Sequence, residues 1–416
     1  MVGGGIFAVL GVVAIEARGA APLAFLVAGS VAMLTAVSYA KLSVAFPNRG
    51  GSVVFVDAAF GVSTATGALN NLLWFGYVVT LSLYAVAFGN YAATFFTSSE
   101  TPGSWLLHAL ISAAIIVPTV LNLLGAGIVA RTETAVVVVK LLMLAFVGGV
   151  GITTIQADRL AVDAWPSFPV VVAAGMLVFV AYEGFELIAN AAEDVRDPRH
   201  TLPRAFYLSV GSVIVLYVAI AIVTIGSLAP KDIAGAADFA LAAAAEPGLG
   251  SVGFRIVAAS AVLATFSAIN ATLYGSARLS YAIAAEGELP PVLEKRVWSE
   301  PVGLFITAGV ALVLANALNV SEISSVASAV FLIVFGTTNA AALKVARRVG
   351  ASRIVSTLGV AGCVVAFVVL VVDTARHRPI AVALVGGAVA AAAGAEALWL
   401  RHRRSVGVTP PSDTAA

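Results

Sequence analysis

Apolar residues along this chain gather into blocks of about twenty, with short polar or turn-forming stretches between them. A helix needs about 20 such residues to cross the roughly 30 Å of hydrocarbon in a bilayer. Twelve blocks are expected to span, near residues 2–17, 21–45, 64–97, 104–124, 132–155, 169–192, 204–228, 251–276, 302–319, 322–343, 354–372 and 379–399. The third is over-long and is expected to tilt or project beyond the membrane, and the first is short. Turn chemistry separates blocks at Pro47-Asn-Arg-Gly-Gly51, Thr101-Pro-Gly-Ser104 and Trp165-Pro-Ser-Phe-Pro169. No linker divides the chain into soluble modules, and residues 405–416 have the composition of a short disordered tail.

Two blocks are interrupted. The first opens on Gly3-Gly4-Gly5-Ile6-Phe7, and the sixth contains Phe179-Val-Ala-Tyr-Glu183-Gly184-Phe185-Glu186. Glycine suits unwound backbone and is costly inside a helix. A carboxylate at mid-membrane depth costs about 2.5–3.5 kcal/mol even on lenient scales, so by default it marks a site. Counting five blocks on from the first break reaches the second. Residues 1–155 and 165–350 are therefore expected to form two five-helix repeats, inverted because five is odd, with 351–404 adding two peripheral helices. Broken helices at matching places in two inverted repeats point to a secondary transporter.

Composition agrees. The chain of 416 residues is 60% hydrophobic and 11% charged, against about 25% charged for a soluble domain, and its mean hydropathy is +1.02. An all-α polytopic membrane protein is expected. A net charge of +1 with no long basic run gives no grip on nucleic acid. One cysteine, Cys363, excludes a disulfide framework within the chain, and the four histidines lack metal-ligand spacing. Neither metal nor cofactor is called for. With the N-terminus in the cytoplasm, sixteen of the 23 Lys and Arg fall on cytoplasmic flanks and six on external ones, with Lys140 inside a block. Both termini are then cytoplasmic, in a multi-pass protein of the cell membrane.

The two breaks offer opposite polarity. Free N–H groups at the start of the helix after Gly3, Gly4, Gly5 and Ile6 lie at a positive dipole end that can hold a carboxylate without a basic side chain. The plainer reading is close packing of small residues. Around Phe179, Ala181, Tyr182, Glu183 and Gly184, unwound carbonyls at the end of a half-helix suit an ammonium group. Together they describe a receptor for a zwitterion, hence for an amino acid. Glu183 is either substrate-facing or a buried structural acid, and Glu186 either gating or structural. Three apart, they share one side of any local helix. Lys140 lies deep in Val136-Val-Val-Val-Lys-Leu-Leu-Met-Leu144. Its stem can snorkel to the cytoplasmic face. Otherwise it is a fixed cation among unwound carbonyls, or a desolvated amine able to lose a proton.

At these residues the chain resembles the amino acid–polyamine–organocation permease family. The motifs are Gly4-Gly-Ile-Phe7, Pro47-Asn-Arg-Gly-Gly-Ser52, the surroundings of Lys140, Phe179-Val-Ala-Tyr-Glu-Gly-Phe-Glu with Asn190-Ala-Ala-Glu-Asp-Val-Arg-Asp-Pro198 and Pro203-Arg-Ala205, and Arg278-Leu-Ser-Tyr-Ala282 with Gly287-Glu-Leu-Pro290. The resemblance implies a leucine-transporter-like core of twelve helices in all, with helices 1 and 6 discontinuous, working by alternating access. It implies carboxylate contacts at Gly3 to Ile6, and amino-group and side-chain contacts near Phe179, Ala181, Tyr182 and Gly184. Lys140 would stand in for a sodium ion, leaving a sodium-independent proton symporter or exchanger. The position of Glu183 is frequently neutral in relatives, so an acid there points to a cationic substrate or to proton coupling. Relatives also carry an inner half-helix before the glycines. Here Met1 nearly abuts them, so a start upstream of Met1 is expected. A channel, a membrane-embedded enzyme built on Glu193, Asp194 and Asp197, and a permease-fold amino acid sensor without flux are the competing readings.

Overall fold

Segments that are apolar on every side have no amphipathic alternative to burial among other helices or in lipid, and helices are what they form. The computed structural model describes residues 1–48, 50–97, 103–124, 127–285, 296–297 and 300–406, with side chains described except at 124, 127–136, 147, 164, 277–285, 296–297, 300–301 and 399–406. Arg49, Thr101-Pro102, the Gly287-Glu-Leu-Pro290 motif, Lys295 and the tail from 407 lie outside the described residues.

Helix α1, Gly4–Ala17, turns through a short 3-10 element at Arg18–Ala20 into α2, Ala21–Ala45. Then come α3 (Ser52–Phe60), α4 (Thr64–Ala93), α5 (Ser104–Leu124), α6 (Gly127–Gly151) and α7 (Phe168–Leu177). After α7 the chain continues as 3-10 turns at Phe179–Tyr182 and Glu186–Asp194. The remaining helices are α8 (Pro198–Ser227), α9 (Pro230–Gly235), α10 (Ala240–Ala285), α11 (Val302–Ala317), α12 (Val320–Lys344), α13 (Ala346–Val349), α14 (Arg353–His377) and α15 (Pro379–Val406). Among the described residues the only strand pairing is a two-residue antiparallel ladder, Arg296–Val297 with Glu300–Pro301.

Each of the twelve expected blocks coincides with a helix or a broken helix. Nine stretches among the described residues are long and apolar enough to cross a bilayer, taking Gly4–Ala45 as one, and ten if α7 and its bent continuation count as a span. Helix α1, at 14 residues, and α11, at 16, are shorter than a crossing needs. Three boundaries differ from expectation. The first loop contains a helix, α3; α10 starts at Ala240 and kinks at Gly250 (φ 62°), just after Pro247, rather than starting near 251; and α15 runs to Val406, past the expected start of the tail.

Ends are set by local chemistry. Ser63 and Thr66 cap α4 reciprocally, Ser63 N–H donating to Thr66 Oγ1 at 2.8 Å. Asn319 and Glu322 do the same for α12. Pro198, Pro230 and Pro379 each open a helix, where a missing N–H costs nothing.

Helix α4 is the central post, with 83% of its apolar window enclosed by protein against 17% for α15. It packs along α10, α12, α5 and α11, and α15 leans on its outside. Elsewhere α2 packs along α8, α6 against α10, and α11 against both α10 and α5. Cys363 is buried, its sulfur near Thr35 and Asn339 at the α2–α12–α14 contact, which suits an inert packing residue.

Candidate functional site

Gly3 precedes α1 in a non-helical conformation (φ −136°, ψ −138°) and brings no side chain to cap it. The first-turn N–H groups thus have no intrahelical partner and sit at the positive end of the helix. A Cβ built on Gly5 would lie 2.9 Å from Ala181 Cα and 3.5 Å from the Ala181 carbonyl oxygen. The two breaks, 176 positions apart in sequence, are in contact. A Cβ on Gly4 would stand 2.7 Å from Cγ of Tyr84, and one on Gly3 would stand 3.0 Å from Cβ of Ala268. Ile6 is fully buried beside them.

The second break begins where α7 ends at Leu177, and the chain bends by 54° across it. Glu183 is extended (φ −60°, ψ 155°) and Gly184 has φ 104°, a backbone that L side chains rarely adopt. Several carbonyls released by unwinding are already engaged. Leu177 O accepts from Ser324 Oγ at 2.6 Å and from Ser328 Oγ at 3.0 Å, while Ser328 Oγ also accepts the Val180 N–H at 2.9 Å. Val178 O accepts from Ala181 N, and Val180 O from Glu183 N, both at 3.0 Å. The expectation of a row of free carbonyls is therefore corrected for Leu177, Val178 and Val180, whose oxygens are all engaged. Ser324 and Ser328, one turn apart on α12, went unnoticed in sequence, although a serine-rich stretch in an apolar block was their signal.

Glu183 and Glu186 do not share a local helix, as their spacing suggested, yet both reach α4. Tyr84 donates to Glu183 Oε2 at 3.0 Å, and Tyr77 donates to Glu186 Oε1 at 3.2 Å. The Gly184 N–H donates to Glu186 Oε2 at 2.8 Å, closing a loop across the break. Glu183 and Glu186 are 4% and 2% exposed. Tyr77 and Tyr84 are seven residues apart, two turns along one face of α4, and that spacing in the over-long third block was the missed signal.

Other expected site residues lie as follows. Tyr182 is buried, its hydroxyl donating to Phe25 O of α2 at 2.8 Å and its ring packing on Tyr217 of α8. Phe179 packs its ring on Phe335 of α12. Lys140 is 6% exposed, about 20 Å along α6 from its start, enclosed by protein rather than stretched to a membrane face. Met1 lies against Gly184, and its carbonyl accepts from Tyr217 at 3.0 Å.

The start of α1 thus meets the bend after α7, with Glu183, Glu186 and Lys140 all buried. The amino acid permease family matches this chain over residues 1–389. The chain belongs to that family. It is 35% identical over 373 residues to the inner membrane transport protein YbaT of Escherichia coli (strain K12), covering 88% of this chain and 86% of the relative. It is 36% identical over 338 residues to MJ0609 of Methanocaldococcus jannaschii, covering 80% and 77%. It is 28% identical over 315 residues to the large neutral amino acids transporter small subunit 2 of Homo sapiens, covering 72% and 58%. This permease is a multi-pass membrane transport protein for amino acids or related solutes, not an enzyme.

Proposed function

We propose that the permease is a sodium-independent secondary active transporter that moves amino acids across the cell membrane by alternating access, as a proton symporter or an exchanger. The observation that carries this reading is the contact of Gly5 with Ala181. It brings the first turn of α1, whose N–H groups have no intrahelical partner, close to the Ala181 backbone, which supports donors for a carboxylate beside acceptors for an ammonium. Buried Lys140 fits a fixed charge where a sodium-coupled carrier needs a removable one.

The proposed core is two inverted repeats, 1–155 and 165–350, with 351–404 peripheral. Packing supports it. Exchanging each block with the one five later turns α4–α12 into α10–α6 and α4–α5 into α10–α11, leaves α5–α11 on itself, and all these pairs are in contact. The distribution of basic residues on the flanks supports cytoplasmic termini.

Uptake of a labelled amino acid panel into proteoliposomes tests the whole reading. Accumulation that persists when sodium is replaced by choline, and that responds to a pH gradient or to trans-loaded amino acid, is the expected result. Strict sodium dependence would falsify it, and ohmic conductance or binding without flux would favour a channel or a sensor.

Glu183 is assigned to the substrate. Tyr84 engages one carboxylate oxygen of Glu183, whereas the two oxygens of Glu186 are engaged by Tyr77 of α4 and by the Gly184 N–H. A hydrogen bond to a charged group contributes about 1.5–3 kcal/mol, a factor of roughly ten or more. Glu183→Gln keeps an acceptor for Tyr84 and removes the charge. Competition by lysine and arginine is expected to weaken about tenfold relative to neutral amino acids; unchanged selectivity removes Glu183 from recognition.

A further inference from the structure

The far end of α1 is tied to the peripheral hairpin by one side chain. Arg378 is the single residue between α14 and α15. Its backbone N–H bonds to Thr374 O at 2.7 Å, and Pro379 starts the next helix. So tight a turn aims the side chain inward, and only 11% of it is exposed. The guanidinium meets Asp373 Oδ2 at 3.2 Å and also Glu16 Oε1, in the last turn of α1. Asp373 in turn pairs with His377 at 3.3 Å.

Two further features converge there. Arg18, just past α1, has φ 49°, the one positive φ outside glycine among the described residues. Such backbone is costly for a side-chain-bearing residue and persists only where its surroundings hold it. Beside it opens a cavity of about 570 Å³, bounded by Val12, Ile15 and Glu16 of α1, Asp238, the start of α12 and the hairpin tip. On this side α1 lines the cavity, and the ion pair that joins it to the hairpin is Arg378–Glu16, while Val13, Ala14 and Ala17 are buried on its other faces. On another side Gly11 lies directly on the Ala237 backbone.

We propose that Arg378 is a positioning residue for the broken helix: through Glu16 it fixes how far the distal end of α1 swings into the cavity, coupling the peripheral hairpin to the element that holds substrate. The inference rests on the transport reading only in giving that swing a purpose. The planar guanidinium gives one nitrogen to Glu16 and another to Asp373, so the largely buried Arg378 fixes the direction of the Glu16 contact even though Glu16 itself is 40% exposed. Asp373 keeps Arg378 compensated when Glu16 is neutralised, so Glu16→Gln is expected to fold.

A reporter cysteine measures the swing without any substrate. Val12→Cys places a thiol in the cavity wall, and native Cys363, 1% exposed, stays silent towards a membrane-impermeant maleimide. Adding Glu16→Gln or Arg378→Gln to Val12→Cys should each change the labelling rate at least threefold, and both together should do no more than Arg378→Gln alone, because Glu16→Gln removes only a pair that Arg378→Gln already breaks. In the native-cysteine background the same changes should alter KM and maximal uptake rate unequally. Unchanged labelling, or strictly additive changes, overturns the proposal. A loss of melting temperature with labelling and KM intact overturns it too, since the pair would then be a fastener only. Labelling that behaves as expected in a protein with no uptake keeps the strut and removes the transport reading instead.

Discussion

Amino acid uptake by a Gly5→Val variant is expected to fall about 100-fold, with the protein still inserted and folded. The added Cβ would stand 2.9 Å from Ala181 Cα, a distance real Cβ contacts do not reach, so one of the two breaks must move. Overpacking a close contact costs about 1–3 kcal/mol. The upper end applies because the obstacle is backbone, which cannot rotate away, and about 3 kcal/mol is a factor of roughly 100. The displaced elements are the proposed carboxylate-binding and ammonium-binding groups, so the cost falls on the site. Gly5→Ala should lose less, about tenfold, since its single methyl needs the smaller shift. Initial rates at matched protein density, with size-exclusion profiles as the folding control, make the comparison. Near-normal uptake by Gly5→Val would mean the two breaks need not touch for transport.

Glu186→Ala is expected to be the second severe change, and to act on stability as well as flux. It strips the acceptor from the Gly184 N–H and from the Tyr77 hydroxyl together. Each buried donor left unsatisfied costs about 1–3 kcal/mol, and water has little access at this depth. The break at Gly184 then loses the loop that holds it and one of its two links to α4, the Glu183–Tyr84 bond remaining. Thermal unfolding in detergent should shift downward, and uptake should drop by a factor of about 100 or more. Glu186→Gln keeps a carbonyl oxygen for one donor and should be intermediate in both. If Glu186→Ala unfolds and transports like the parent protein, the closure across the break is incidental.

How much of this could be read from the chain alone depended on whether a signal was local. Spans were legible because crossing hydrocarbon demands an unbroken apolar run, and each run became a helix or a broken helix. The breaks were legible because Gly3 to Gly5, Glu183 and Gly184 violate that demand in place. What each break touches is a tertiary matter, and the inferences there were mixed. Tyr182 was expected at the site, and nothing local in the sequence could tell that its hydroxyl would meet α2 and its ring α8. Free carbonyls were expected after α7, yet Ser324 and Ser328 of α12, some 147 residues onward, cap the first of them. Tyr77 and Tyr84 showed only a seven-residue spacing, which says that two side chains share a face and nothing about which acid meets them. Arg378 read as one of six charges on the sparse side of the membrane, because a one-residue turn gives no hint in sequence of where its side chain is aimed.

The unusual backbone at Gly184 also bears on how this permease tolerates genetic change. Every single-base alteration of a glycine codon that changes the amino acid installs a side chain or a stop, and none installs asparagine, the residue best suited to left-handed backbone. Natural drift therefore has no gentle first step at this codon, whereas the alanine-rich helices around it can exchange alanine for valine or serine by one base. Population variation in this gene should thin out sharply at codon 184 compared with its neighbours in α7.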